Sequence, residues 1–162
     1  MKEKEIMMQD FMLVEQRFKR FIETVCTSGV VYALERDDGY AMSEANEYEN
    51  SMGEPLDVIC YWSEKAMAGS CISEEWIEYR VVEISLPEFI ESWCIGMAGD
   101  NVVAGINFDV DMFGYEIDPY ELVLALGAQL RKQRRRIKLS KYEEVQMLCR
   151  KIEKIVSSQP LY

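Results

Sequence analysis

Apolar positions along the chain recur at two spacings, and the two predict different elements. Phe11, Val14, Phe18, Phe21, Ile22 and Val25 step by three or four residues, giving one apolar face of a helix from about Asp10 to Thr27, with Gly29 as its stop. Val30-Val31-Tyr32-Ala33-Leu34 is a short apolar run and predicts a strand. Asp37-Asp38-Gly39 has the chemistry of a hairpin turn, and Tyr40-Ala41-Met42 begins the returning strand. The polar, acidic stretch 44–55, with Gly53 and Pro55, reads as a loop. Val58 to Trp62 is a further strand. Ser63 is placed to cap a helix from Glu64 to Cys71. A strand follows near Glu78 to Ile84. Ser85-Leu86-Pro87-Glu88 then has the spacing of a capping box for a helix that carries Phe89, Ile90, Trp93 and Cys94 and ends at Gly96.

The second half follows the same logic. Asn101 to Phe108 predicts a strand, 109–114 a turn, and 115–117 a short strand. Asp118-Pro119-Tyr120-Glu121 combines a cap, a proline at the first helical position and an early acidic residue, so a helix starts here, with Leu122, Val123, Leu126 and Leu130 on its buried face. Ser140-Lys141-Tyr142-Glu143 repeats the capping-box spacing ahead of an amphipathic stripe, Tyr142, Val145, Leu148, Cys149, Ile152, Ile155 and Val156. Strands joined by a hairpin and by helical excursions imply the α+β class. The expected sheet is antiparallel, with about five or six short strands covered by helices and a C-terminal helical extension.

Charge divides the chain at Arg131. Residues 1–130 hold 26 acidic and 8 basic side chains, while 131–162 hold 3 and 10, so an acidic domain (1–130) is followed by a basic, mostly helical extension (131–162). That extension is expected to pack on the domain or on a second copy, since a helical stripe needs a neighbour. No apolar run reaches the roughly 20 residues of a membrane span, and the charged start Met1-Lys2-Glu3-Lys4-Glu5 is not a secretory signal. Five cysteines without a Cys-x-x-Cys pair, each beside apolar residues, read as reduced core thiols and place the protein in the cytoplasm.

The order Tyr61-Trp62-Ser63, Ala66, Trp76, Tyr79, Ile84-Ser85-Leu86-Pro87-Glu88-Phe89-Ile90-Glu91-Ser92-Trp93, then Glu116-Ile117-Asp118-Pro119-Tyr120-Glu121-Leu122, resembles the bacterial family known as domain of unknown function 2750. The resemblance runs from about Arg17 to Leu130. It implies a small cytosolic bacterial α+β domain and brings no activity, cofactor or catalytic residue with it.

Histidine is absent, which removes the imidazole-based nucleophile pairs, the imidazole general base and histidine metal ligands. Glycine-rich phosphate loops and dinucleotide fingerprints are absent too. No catalytic residue, metal ligand or cofactor is therefore assigned. Trp62, Trp76 and Trp93 stand at element boundaries, where they pack a core or line a groove. Packing is the commoner role, and Trp76, in what reads as a loop, is the strongest candidate for contact with a partner. Asp109, Asp111 and Glu116 are acidic partner-binding candidates. As a calcium loop they fail, because the fifth and twelfth positions from Asp109 are Phe113 and Tyr120. Arg131, Lys132, Arg134, Arg135, Arg136 and Lys138 are candidates for phosphate or an anionic surface, against the simpler role of closing a helix at its negative end.

The reading that fits these features is a non-enzymatic protein-binding domain whose acidic surface meets a basic partner, with an immunity protein against a basic toxin as the analogy. The alternatives are a small carboxylate or metal-dependent enzyme, or a nucleic-acid accessory protein acting through 131–138. Nucleic acid is disfavoured by the negative body, and a homodimer through the C-terminal helix is a further expectation.

Overall fold

The computed structural model describes residues 2–37 and 39–158, with side chains over 11–37 and 39–158; Asp38 of the expected hairpin turn lies outside them. Helix α1 (Lys2–Ser28) starts eight residues earlier than the apolar face indicated. Lys, Glu, Met and Gln are strong helix formers, so the backbone extends the helix ahead of its packed portion. Gly29, at φ +77°, ends it by donating its N–H to Val25 O.

Strands β1 (Val30–Arg36), β2 (Gly39–Tyr40), β3 (Met42–Glu49) and β4 (Pro55–Trp62) follow. After them come the short helix α2 (Lys65–Ser70), a 3-10 turn (Glu74–Trp76) and β5 (Arg80–Ser85). A continuous helical run is built from α3 (Leu86–Glu88), a π-helical segment (Phe89–Cys94) and α4 (Ile95–Asp100). The chain closes with β6 (Val103–Ile106), β7 (Tyr115–Ile117), α5 (Pro119–Lys132) and α6 (Val145–Ser157).

The described residues form one mixed seven-stranded sheet in an α+β fold. Its path is β2-β1-β4-β6-β7, with β5 on β1 and β3 on β4. Every pairing is antiparallel except β4 with β6, where Val58 lies beside Val103 and Tyr61 beside Ile106. The expected all-antiparallel sheet is corrected at that pair. The chain leaves β4, crosses the sheet through the helical run 86–100, and returns in the same direction, as a parallel pair requires.

Two apolar layers sandwich the sheet. On one face α1, the 86–100 run, α5 and α6 cover Val31, Ala33, Tyr61, Ala104 and Ile106. On the other, α2, the 3-10 turn and Phe108 cover Leu34, Val58, Cys60, Trp62 and Val103. The stripe of α6 is buried within the chain up to Ile152, while Ile155 is half-buried and Val156 exposed. Leu148, Cys149 and Ile152 are at most 5% exposed, and a Cβ on Gly127 of α5 would come within 2.4 Å of Cys149 Sγ.

Local departures from the sequence reading have identifiable causes. Residues 44–49, expected as loop, are strand. Both faces of β3 are largely polar, so alternation gave no signal, and pairing with β4 decides its conformation. Ser63 does not cap α2; its N–H donates to the side chain of buried Asn107 at 2.9 Å, and α2 begins at Lys65. The Ser140 capping box is unused, and α6 begins only at Val145. There the Glu91 carboxylate accepts the Ser140 and Lys141 N–H groups at 2.6 and 3.0 Å, while Ile137 and Leu139 are buried, so tertiary contacts hold 137–144 irregular. The helix expected to stop at Gly96 continues to Asp100 and is ended by Asn101 in the left-handed region, φ +59°. Ser85 and Asp118 cap α3 and α5 as read from the sequence.

Candidate functional site

The tryptophans separate into two environments. Trp62 and Trp76 lie in the second core layer, edge to face at 6.2 Å, with Trp62 Nε1 donating to Phe108 O at 2.9 Å. Trp76 is only 4% exposed, so the loop position that marked it for partner contact instead tucks its ring inward. Trp93 differs. The π-helical segment leaves it half-buried, edge-on to Tyr40 at 4.6 Å and to Tyr61 at 6.0 Å.

Asp109, Asp111 and Glu116 are held apart by local duties. Asp109 accepts the N–H groups of Asp111 and Phe113 through one oxygen, and its other oxygen lies 3.1 Å from Arg17. Glu116 accepts the N–H of Asn46 through both oxygens and that of Glu47, each at 2.9 Å. These are the donors freed where the β3–β4 register shifts. Asp111 is exposed at the turn. Among the described residues no three His, Cys, Asp or Glu side chains are grouped to hold a metal ion.

The region with the surface chemistry of a binding site lies elsewhere, on the helix-covered face where the helices stop short of β3. Ile59, Trp93, Gly96, Met97 and Val102 line a groove of about 270 Å³, with Asp100 at its rim. In β3 and β4, Met42 pairs with Ile59 and Glu44 with Asp57. Alternation along a strand puts Asp57 on the same face as Ile59, two positions from the groove, where Glu44 and Asp57 are two exposed carboxylates directly opposite each other. At the other end, burial together with the charges of Glu35 and Glu88 raises the Tyr40 hydroxyl above its ordinary pKa. Ile59, Trp93 and Met97 thus give the groove an apolar floor, with Tyr40 packed against Trp93, Asp100 at the groove and the Glu44–Asp57 pair farther along the same sheet face. The sequence concealed it because reading 44–55 as loop hid the pairing of Glu44 with Asp57.

A second charged region gathers the basic run. Arg131, Arg134, Arg135 and Arg136 line one concavity of about 450 Å³ with Ile137, Val145, Gln146 and a single carboxylate, Glu144, whereas Lys132 and Lys138 lie outside it. Arg135 Nη1 donates to Cys26 O and Thr27 O and so caps the C-terminus of α1. Arg131 donates to Gln146 Oε1 at 2.7 Å, and Arg136 lies 3.6 Å from Glu144. The run thus closes α5, as helix-end electrostatics suggested, and anchors α1 as well.

The family described as protein of unknown function (DUF2750) matches residues 18–126, about two thirds of the chain. No curated protein and no solved structure matches it. No described helix is long and apolar enough to cross a membrane.

Proposed function

Because the chain belongs to this DUF2750 family, and membership brings no activity with it, we propose that it is a non-enzymatic interaction domain that recognises a basic protein partner through the Trp93 groove and its carboxylate rim. One observation carries the reading. Glu44 and Asp57 are paired across the sheet and both exposed, and neither has a salt bridge among the described residues. Like charges directly opposite each other destabilise a strand pair. A basic side chain from a partner seated between them relieves that repulsion, and the half-buried Trp93, in the groove with Ile59 two positions along the strand from Asp57, supplies apolar and cation–π contact. Carboxylates around an aromatic anchor steer a basic partner and select against acidic ones. An inhibitor of a basic toxin would use such a face, and this is the class of partner the immunity analogy names.

The test is capture from extracts of the native host at low and high salt. The wild-type chain is compared with a Glu44→Gln/Asp57→Asn/Asp100→Asn variant. A partner retained at low salt by the wild type and lost by the variant supports the reading. Equal capture by both chains, or no partner at either salt, contradicts it.

A further inference from the structure

Helix α5 ends in a Schellman motif: Arg134 N–H bonds Arg131 O at 3.0 Å, and Arg135 N–H bonds Leu130 O at 2.8 Å. The residue at the turning position is Arg134, with φ +55°, where glycine fits without steric cost. Its guanidinium makes no hydrogen bond or salt bridge among the described residues and is exposed at the rim of the 450 Å³ concavity. A long cationic side chain therefore occupies a strained backbone site that its own contacts do not explain.

The neighbouring arginines are held in place without being neutralised. Arg131 is fixed by the neutral amide of Gln146, which is anchored in turn by donating to Gly127 O at 2.8 Å. Arg135 is fixed by main-chain carbonyls of α1. Among the described residues only Arg136 has a carboxylate within salt-bridge distance, Glu144 at 3.6 Å. In a chain of net charge −11 carboxylates are plentiful, yet among the described residues three of these four guanidinium groups have no salt bridge. Arg131, held by a neutral amide, and Arg134, exposed beside it without a partner among the described residues, leave two guanidinium forks suited to phosphate oxygens, and the buried side chains of Ile137 and Val145 give the concavity an apolar wall. An extended polyanion would run onto the negative body, whereas a small one fits within the pocket.

We propose that the concavity between the end of α5 and the start of α6 is a binding site for a soluble ligand bearing two or more phosphate charges, gripped by Arg131 and Arg134. The probe is inorganic pyrophosphate, titrated calorimetrically into the full chain. Saturable binding is expected. Arg134→Gly should weaken it at least about tenfold, the scale of one lost charge-assisted contact, while the melting temperature stays level or rises because glycine suits the turn. Lys132→Ala, which removes a charge outside the pocket, should change affinity less than about twofold. Absence of binding at millimolar pyrophosphate overturns the proposal, as does equal weakening by Arg134→Gly and Lys132→Ala. Phosphatidic acid vesicles form a second arm, and sedimentation with them in the absence of pyrophosphate binding assigns the cluster to a lipid surface and likewise overturns it.

Discussion

The cysteines illustrate how burial governs chemistry at the scale of one residue. All five are free and buried. Desolvation pushes the Cys26 thiol from 9.0 up to about 12, with Arg135 opposing in part, and raises Cys60 and Cys94 as well. A native thiol that keeps its proton is a poor nucleophile. With a disulfide-exchange reagent at pH 8 the folded protein should react slowly, and all five thiols should react once denaturant is added. The same shift sets a pH dependence. Above about pH 9 the unfolded chain loses thiol protons that the native chain retains until about 12, so protons are bound more tightly in the fold. Stability should therefore be unaffected by these groups below pH 8 and should fall steadily from pH 9 upward. A flat denaturation midpoint from pH 8 to 10.5 would contradict this.

Asn107 shows why a polar residue in an apolar strand is easily passed over. It is fully buried with φ +50°, and it bonds Ser63 N–H, Ser63 Oγ and Arg17 O, so that it ties β6, the start of α2 and α1 together. From the sequence it was one letter in a predicted strand. Its role depends on partners 44 and 90 residues away, a separation that local patterning does not convey.

Among the elements, α6 depends on a close approach. Alanine at Gly127 would gain roughly 1 kcal/mol of helix propensity, but its methyl group would collide with Cys149 Sγ, and overpacking typically costs about 1–3 kcal/mol. Gly127→Ala should lower stability, and the same change in a Cys149→Ala background should raise it by about 0.5–1 kcal/mol. Urea denaturation of the four chains checks the sign reversal. Arg135 offers a second element-scale test. Arg135→Ala removes two charge-assisted bonds from the end of α1 and should cost about 1–2 kcal/mol. Elements with local signals were legible in the sequence: the caps Ser85 and Asp118, strand 115–117, and the apolar faces of α1 and α5. Elements decided by distant contacts were not. Strand β3 forms because β4 offers it an edge, and 137–144 is held by Glu91, a residue about 50 positions away.

At the scale of the whole molecule, 26 of the 29 acidic residues fall before Arg131 and 10 of the 18 basic ones from it onward. The sequence made the division at Arg131 plain, since it needs only counting. Which acidic residues share a face was hidden, because the Glu44–Asp57 pairing comes from sheet register and Trp93 and Asp100 reach Ile59 only through the 86–100 helical run. The opposed carboxylates hold this face at a cost in stability. Neutralising the opposed pair, Glu44→Gln/Asp57→Asn, should therefore raise stability in urea by about 0.2–1 kcal/mol, most clearly at low salt, because screening by added salt already reduces the repulsion.

The most direct test of partner recognition is an affinity measurement on the captured partner with two variants of equal charge. Glu44→Gln/Asp57→Asn alters the groove face, and Glu75→Gln/Glu83→Gln removes the same charge from exposed sites elsewhere. We expect the first variant to lose at least about tenfold in affinity and the second to stay within about twofold of wild type. Equal affinities for the two variants would contradict the account.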